Sequence, residues 1–286
     1  MANLKDIRTR IQSVGSTMQI TNAMKMVSAA KLKKAQEAIE NMRPYAEKLT
    51  ELLSGLSASL DNDAGGKYTS TGAVNNVLLI PISSNRGLCG ALNTNVIKAT
   101  IDLIENEYQS KNVSLLTLGK KAFDSLSKNY EILDNKSSIF DDITYDAVAQ
   151  IAQTVMDDFV AQKYDKVILI YSSFKNAATQ IVKKEQFLPI KPETTDSDVV
   201  LDYIYEPSQK EIVEQLIPKS LKTQFYKAIR DAWASEHGAR MTSMHKATDN
   251  AQEMKDELTL QYNKARQAVI TGEILEIVSG AEALKG

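Results

Sequence analysis

Between Lys219 and Leu284 the chain carries no proline, and from Leu4 to Leu56 it carries one proline, Pro44, and two glycines, Gly15 and Gly55. Stretches so poor in backbone breakers can hold very long helices, and their apolar spacing agrees. Leu4, Ile7, Ile11, Val14 and Met18 step 3-4-3-4 along the first segment, which draws one stripe on a helix. The stripe is expected to slip through Met24 and Val27 and to resume at Met42, Tyr45, Leu49, Leu52 and Leu56, a stutter in a long coil. Pro44 is expected to kink this helix rather than end it, because the spacing continues past it. The carboxyl segment steps in the same way through Met244, Ala247, Ala251, Met254 and Leu258, then Tyr262, Ala265, Val269 and Gly272. That seam is rich in Ala, Met and Gly, which suits close and adaptable packing.

The middle of the chain reads differently. Residues 61–72 (DNDAGGKYTSTG) form a polar linker. Strands are expected at Val77–Ile82, Val113–Leu118 and Lys166–Tyr171, and helices at Ala91–Tyr108, Lys120–Asn129 and Tyr145–Gln162. This alternation predicts a small, Rossmann-like α/β domain with a largely parallel sheet. Thr179–Phe187 and Val199–Tyr205 read as added edge strands. The expected division is an amino-terminal coiled-coil helix over 1–58, an α/β domain over 73–207, and a carboxyl-terminal coiled-coil helix over 208–286.

At about 1.5 Å per residue the two terminal helices would run roughly 80 Å and roughly 100 Å. An α/β domain of about 130 residues is only roughly 36 Å across, so the helices should extend beyond it. Single helices with apolar stripes are unstable in water, so the two ends are expected to pair as a long antiparallel coiled coil. Ile270, Ile274, Leu275, Ile277, Val278, Ala281 and Leu284 cover more than one narrow seam, which calls for a covering partner.

Composition excludes several classes. The 286 residues are 43% hydrophobic and 24% charged with a formal net charge of −2, ordinary for a globular protein and without an overall pull towards polyanions. The opening MANLKDIRTRIQS places charges where a secretory signal would be apolar, and the apolar run Val77–Ile82, interrupted by Pro81, is far too short to span a bilayer. Any membrane association is therefore expected to go through partners. Cys89 is the only cysteine, so no intrachain disulfide can form and a reducing compartment fits. AGGKYT at Ala64–Thr69 lacks the upstream glycine of a phosphate-binding loop, since Asp61 stands there, and Gly87 and Gly90 lack the spacing of a dinucleotide fingerprint. His237 and His245 have no cysteine or clustered carboxylate beside them, which speaks against a metal site. No catalytic, cofactor-binding or metal-ligating residue is expected.

Four motifs in order carry a family resemblance. ITNAMKMVSAAKLKKA, from Ile20 to Ala35, resembles the amino-terminal helix signature of ATP synthase gamma subunits of the bacterial type. SSNRGLCGALN, from Ser83 to Asn93, is similar to their turn after the first strand. SEHGARMTSMHKATDNA, from Ser235 to Ala251, resembles their carboxyl-helix signature, and YNKARQAVITGEILEIVSGAEAL, from Tyr262 to Leu284, their terminal stretch. The resemblance covers both helices and the start of the middle domain, with weaker likeness between. It implies the central rotor shaft of an F-type ATP synthase, a peripheral protein on the cytoplasmic face of the bacterial plasma membrane. Its partners would be the alpha, beta and epsilon subunits and the c-subunit ring. The shaft would couple ion flow to catalysis in the beta subunits and perform no chemistry itself.

The same resemblance assigns residues. Met24 and Lys25 would face moving beta-subunit segments; without it they read as a seam methionine and a solvated lysine. Arg266 and Gln267 match a catch that hydrogen-bonds a beta-subunit loop, for which a guanidinium fork is suited; otherwise they are a solvated helix face. Arg240 would have a related coupling role. Tyr205 and Glu206, before Pro207, would lie at a foot that contacts the c ring and epsilon, or else form a plain turn. Residues 1–48 hold nine Lys or Arg against four Asp or Glu, a net of +5, which suits an acidic partner. Two other readings stand beside the rotor: a small α/β enzyme with coiled-coil oligomerisation arms, and a nucleic-acid adaptor. No helix-turn-helix or stacking platform accompanies the basic helix to support the adaptor.

Overall fold

The computed structural model describes residues 4–58, 66–68, 72–190 and 209–284. The chain begins and ends in long helices, α1 (Leu4–Ala58) and α5 (Gln209–Ala283). Helix α1 continues through Pro44, and α5 passes through Pro218. Between them lie β1 (Asn76–Pro81), α2 (Leu92–Asp102), β2 (Asn112–Thr117), α3 (Lys120–Leu126), β3 (Ile132–Asn135), α4 (Tyr145–Val160), β4 (Lys166–Phe174) and β5 (Gln180–Leu188). The fold is mixed α/β, with long terminal helices flanking a mainly parallel sheet. Val199–Tyr205, expected as an edge strand, lies outside the described residues, as do Tyr205 and Glu206.

The chain divides into two compact units, Met1–Ser28 with Met241–Gly286, and Ala29–Arg240. In the first, α1 and α5 pair antiparallel: Thr21 meets Thr248 and Lys25 meets His245, so rising numbers on one helix meet falling numbers on the other. Along α1 the inward positions are Leu4, Ile7, Ile11, Val14, Met18, Thr21, Lys25 and Ser28, an unbroken 3-4 alternation. Leu32, Ala35, Ile39, Met42 and Leu49 continue the same phase within the second unit. The expected stutter is therefore absent. Polar side chains hold the seam where apolar ones were sought, and Met26 and Val27 point outward at 67% and 58% exposure. On α5 the seam runs through Met244, Thr248, Ala251, Lys255 and Leu258, while Met254, expected in it, is 52% exposed. Thr248 bonds across the pair, and a lysine at the position of Lys255 can lay its methylene stem along the seam with its ammonium in water.

The second unit is built on one five-stranded sheet of order β3-β2-β1-β4-β5. Strands β1 to β4 are parallel neighbours and β5 is antiparallel to β4. Period-2 side-chain alternation sends Leu78, Ile80 and Leu116 to one face, where α4 and the Ile217–Ala232 stretch of α5 cover them through Val148, Val155, Phe225 and Ile229. Val77, Leu79 and Leu115 face the other way, towards Val96 on α2, Leu103 just beyond it, and Ala122 and Leu126 on α3. Burial on both faces explains why β1 and β4 read as continuous apolar runs in the sequence. Helix α2 relaxes into a π-helical turn over Leu103–Glu107, so the helical stretch runs to Glu107, one residue short of the expected end, with Tyr108 as its cap. Strand β3 went unforeseen.

Candidate functional site

In a sheet of this order the direction of winding reverses between β1 and β4, and the crevice beyond their carboxyl ends is where doubly wound folds take ligands. Here α5 fills that place. A Cβ on Gly238 would come within 3.0 Å of Phe174 Cε2 and 3.5 Å of Ala177 Cα, just past the end of β4. Ala239 packs with Cys89 in the β1–α2 connection and with Leu92 at the start of α2. With glycine at 238 the helix backbone lies against the Phe174 ring edge with little room to spare.

Arg240 then ties α5 to the β1–α2 turn. It is 7% exposed. Its Nε donates to the Gly87 carbonyl at 3.2 Å, and Nη2 donates to the carbonyls of Arg86 at 3.0 Å and Gly87 at 3.2 Å. Nη1 lies 2.7 Å from Glu236 Oε1, one helical turn earlier, and 3.4 Å from His237 Nδ1. A planar guanidinium serves these acceptors through a fixed fork of donors, which a lysine ammonium lacks. The Glu236 carboxyl is pushed up by burial, with Arg240 pulling the other way. Burial also pushes His237 down to about 3, helped by the positive charges of Arg240 and Lys31. A neutral imidazole accepting at Nδ1 carries its proton on Nε2, a buried atom with no hydrogen-bond partner. The ring meets Trp233 edge-on, with centroids 5.0 Å apart.

The turn itself is fastened from several sides. Ser84 Oγ donates to the Arg86 carbonyl at 2.5 Å, and Ser84 N donates to Asn93 Oδ1 at 3.0 Å. Asn93 Nδ2 donates to Cys89 Sγ at 3.2 Å, and Asn85 Nδ2 to the Ser137 carbonyl at 2.9 Å. Leu88 sits at φ 63°, a left-handed conformation unfavourable for a residue with a Cβ, and is 63% exposed. Arg86 is exposed beside it, while Cys89 beneath is 1% exposed.

The other residues singled out from the sequence do not share this cluster. Met24 and Lys25 are half-buried on α1, and Lys25 Nζ lies 3.4 Å from His245 Nδ1, which is itself 3.4 Å from Asp249 Oδ2. Arg266 and Gln267 are exposed on α5. Beyond them Ile274, Leu275, Ile277 and Val278 stand between 54% and 71% exposed. Sequence reasoning missed Glu236, although its spacing of four from Arg240 on a helix was a visible signal. Among the described residues no group of three or more His, Cys, Asp or Glu is placed to hold a metal ion, and no helix is long and apolar enough to cross a membrane.

Comparison with known proteins covers the whole chain. The ATP synthase family pattern matches residues 3–284. The ATP synthase gamma chain of Flavobacterium psychrophilum is 65% identical over 287 residues, covering 100% of both chains, and that of Christiangramia forsetii is 61% identical over 286 residues with the same coverage. Among solved structures, the central stalk and c-ring of the Tetrahymena thermophila mitochondrial ATP synthase contains a chain that superposes with a TM-score of 0.59 at 28% identity, covering 80% of this chain and 99% of that one. Long terminal helices and a mainly parallel sheet, matched from end to end by such relatives, mean that the chain belongs to the ATP synthase gamma chain family.

Proposed function

We infer that this chain is the central rotor shaft of an F-type ATP synthase. It couples ion flow through the membrane sector to ATP synthesis or hydrolysis on the catalytic beta subunits and has no catalytic site of its own. The observation that carries this reading is the apolar surface at the end of α5. Ile274, Leu275, Ile277 and Val278 are more than half exposed, on a helix paired with α1 in its earlier part. Such a surface calls for a surrounding protein, and in a shaft it would be an alpha–beta ring. An asymmetric shaft biases three otherwise equivalent catalytic sites by presenting unequal contacts to each.

Within this reading Met24, Lys25, Arg266 and Gln267 meet the alpha–beta ring, and Tyr205 and Glu206 belong to the foot at epsilon and the c ring. Arg240 acts differently from a direct contact, through its hold on the Arg86–Gly87 turn. The chain lies on the cytoplasmic face of the plasma membrane, attached through its partners. An α/β enzyme would use the crevice at the sheet's switch point, and that crevice is occupied by Gly238 and Ala239 of the chain's own helix. The test is gentle purification of the native complex. Copurification with alpha, beta and epsilon subunits, and no nucleotide turnover by the isolated chain, are expected. Absence of those subunits, or appreciable turnover by the chain alone, would overturn the reading.

A further inference from the structure

We propose that Glu236 is a positioning residue for coupling: it keeps Arg240 turned inward, so that Arg240 clamps the Arg86–Gly87 carbonyls and the turn presents Arg86 and Leu88 to a partner. The role of this turn in coupling rests on the rotor reading above, whereas the clamp itself does not.

Three observations carry the proposal. First, the ion pair is nearly closed to water, with 8% of the Arg240 side chain and 11% of the Glu236 side chain accessible, at 2.7 Å. A buried guanidinium without a counter-charge is strongly disfavoured, so loss of the Glu236 charge would drive Arg240 towards solvent. Second, the other charges that act on Glu236 have the wrong sign to hold Arg240. The charges acting on Glu236 besides Arg240 are those of Lys31 and Arg86, both positive. Third, the turn holds a conformation that a leucine does not adopt by preference. Leu88 at φ 63° persists only where its neighbours over-determine it. Two successive carbonyls, of Arg86 and Gly87, receive Arg240, and they immediately precede Leu88. The turn exposes a cation and a large apolar side chain side by side while sealing Cys89 beneath it. Releasing Arg240 would free those carbonyls, let Leu88 relax, and open the way to the thiol.

Cys89 supplies the readout, since it is the only cysteine of the chain. Maleimide labelling of the full-length chain under native conditions should be slow in the parent protein, where Cys89 is 1% exposed. In Glu236→Gln it is expected to rise about tenfold or more, as local opening of the turn becomes accessible. Arg240→Met should give a similar rise. The double variant should label no faster than either single one, because both changes release the same clamp. Glu236→Asp, which keeps the charge on a shorter arm, should fall between the parent and Glu236→Gln, and it carries the test if Glu236→Gln does not accumulate. Labelling of Glu236→Gln at the parent rate, or additive rises in the double variant, would overturn the clamp. In the assembled ATP synthase, Glu236→Gln should lower the ratio of ATP-driven ion pumping to ATP hydrolysis. An unchanged ratio alongside fast labelling would overturn the coupling role and leave the clamp standing. Failure of the chain to assemble with ATPase subunits would instead sink the rotor reading.

Discussion

Thr248 Oγ1 donates to Thr21 Oγ1 at 2.8 Å across the α1–α5 pair, and the Thr21 hydroxyl in turn donates to the Met18 carbonyl at 3.0 Å. Thr21 is 9% exposed, so this short relay replaces an apolar contact in the seam with a directional one. A hydrogen bond fixes which residue faces which, while small seam side chains alone would tolerate sliding. Thr21→Val and Thr248→Val should each lower stability by up to about 1 kcal/mol, because each removes the bond across the pair. The remaining hydroxyl keeps a carbonyl of its own helix, Met18 for Thr21 and Met244 for Thr248. The double variant should cost less than the two added together, since both polar groups are then gone. Thermal unfolding of the four proteins closes that cycle, and strict additivity would mean the bond contributes nothing.

The same relay shows why part of the coil was legible in the sequence and part was not. Apolar spacing located both helices and their pairing, and the buried strands β1 and β4 stood out as apolar runs. The seam through Thr21, Lys25 and Ser28 was read as a slip because a hydrophobic pattern does not register polar residues that satisfy one another. Strand β3 escaped for a related reason. Ile132–Asn135 is short, carries Asp134, and pairs with β2 through a register shift. The clamp was hidden by distance along the chain, since nothing local to Arg240 announces that Gly87 will accept from it. Its helical half, Glu236 four residues before, was in plain view.

Acid should find His237 before it finds most of the fold. The imidazole is held down to about 3 by burial and by neighbouring positive charge, whereas an unfolded chain binds that proton at about 6.5. Below about 6.5 the unfolded state therefore takes up the proton and the folded state does not. Stability falls as pH falls through this window and stops falling near 3. Between pH 7 and pH 5 this one group should remove about 2 kcal/mol. His237→Gln lacks the titration, so its stability relative to the parent should improve by about that amount over the same interval. Unfolding of both proteins at the two pH values measures the difference, and parallel pH profiles would exclude His237 as the source.

Two glycines should respond to alanine in opposite degrees. Gly119 has φ 109°, and a Cβ there would stand 2.1 Å from the Ser83 carbonyl oxygen, a backbone atom that cannot step aside. Gly119→Ala should cost on the order of 3 kcal/mol or more, through strain and overlap together. At Gly238 the close neighbour is the Phe174 ring edge at 3.0 Å, and a ring can turn. The helix gains about 1 kcal/mol from alanine in place of glycine, which offsets much of that shift. Gly238→Ala should therefore stay within about 1 kcal/mol of the parent. Urea unfolding ranks the two variants, and a Gly238→Ala cost as large as that of Gly119→Ala would mean that the Phe174 ring does not turn aside.

Arg266 offers the cleanest separation of coupling from folding. It is exposed on α5, four residues before Ile270, itself 46% exposed. Removing an exposed arginine from a helix face usually changes stability by no more than about 0.5 kcal/mol. A guanidinium that grips a carboxylate or carbonyls on a beta-subunit loop would be worth far more to the assembled complex than to the isolated chain. Arg266→Ala should therefore leave the unfolding transition of the chain in place while ATP-driven ion pumping falls relative to hydrolysis in the assembled complex. Gln267→Ala should act in the same direction and more weakly, since it removes a neutral hydrogen-bonding group rather than a charged one. Pumping and hydrolysis unchanged in Arg266→Ala would remove the catch from this position. A lowered unfolding transition would place its role in the helix pair instead.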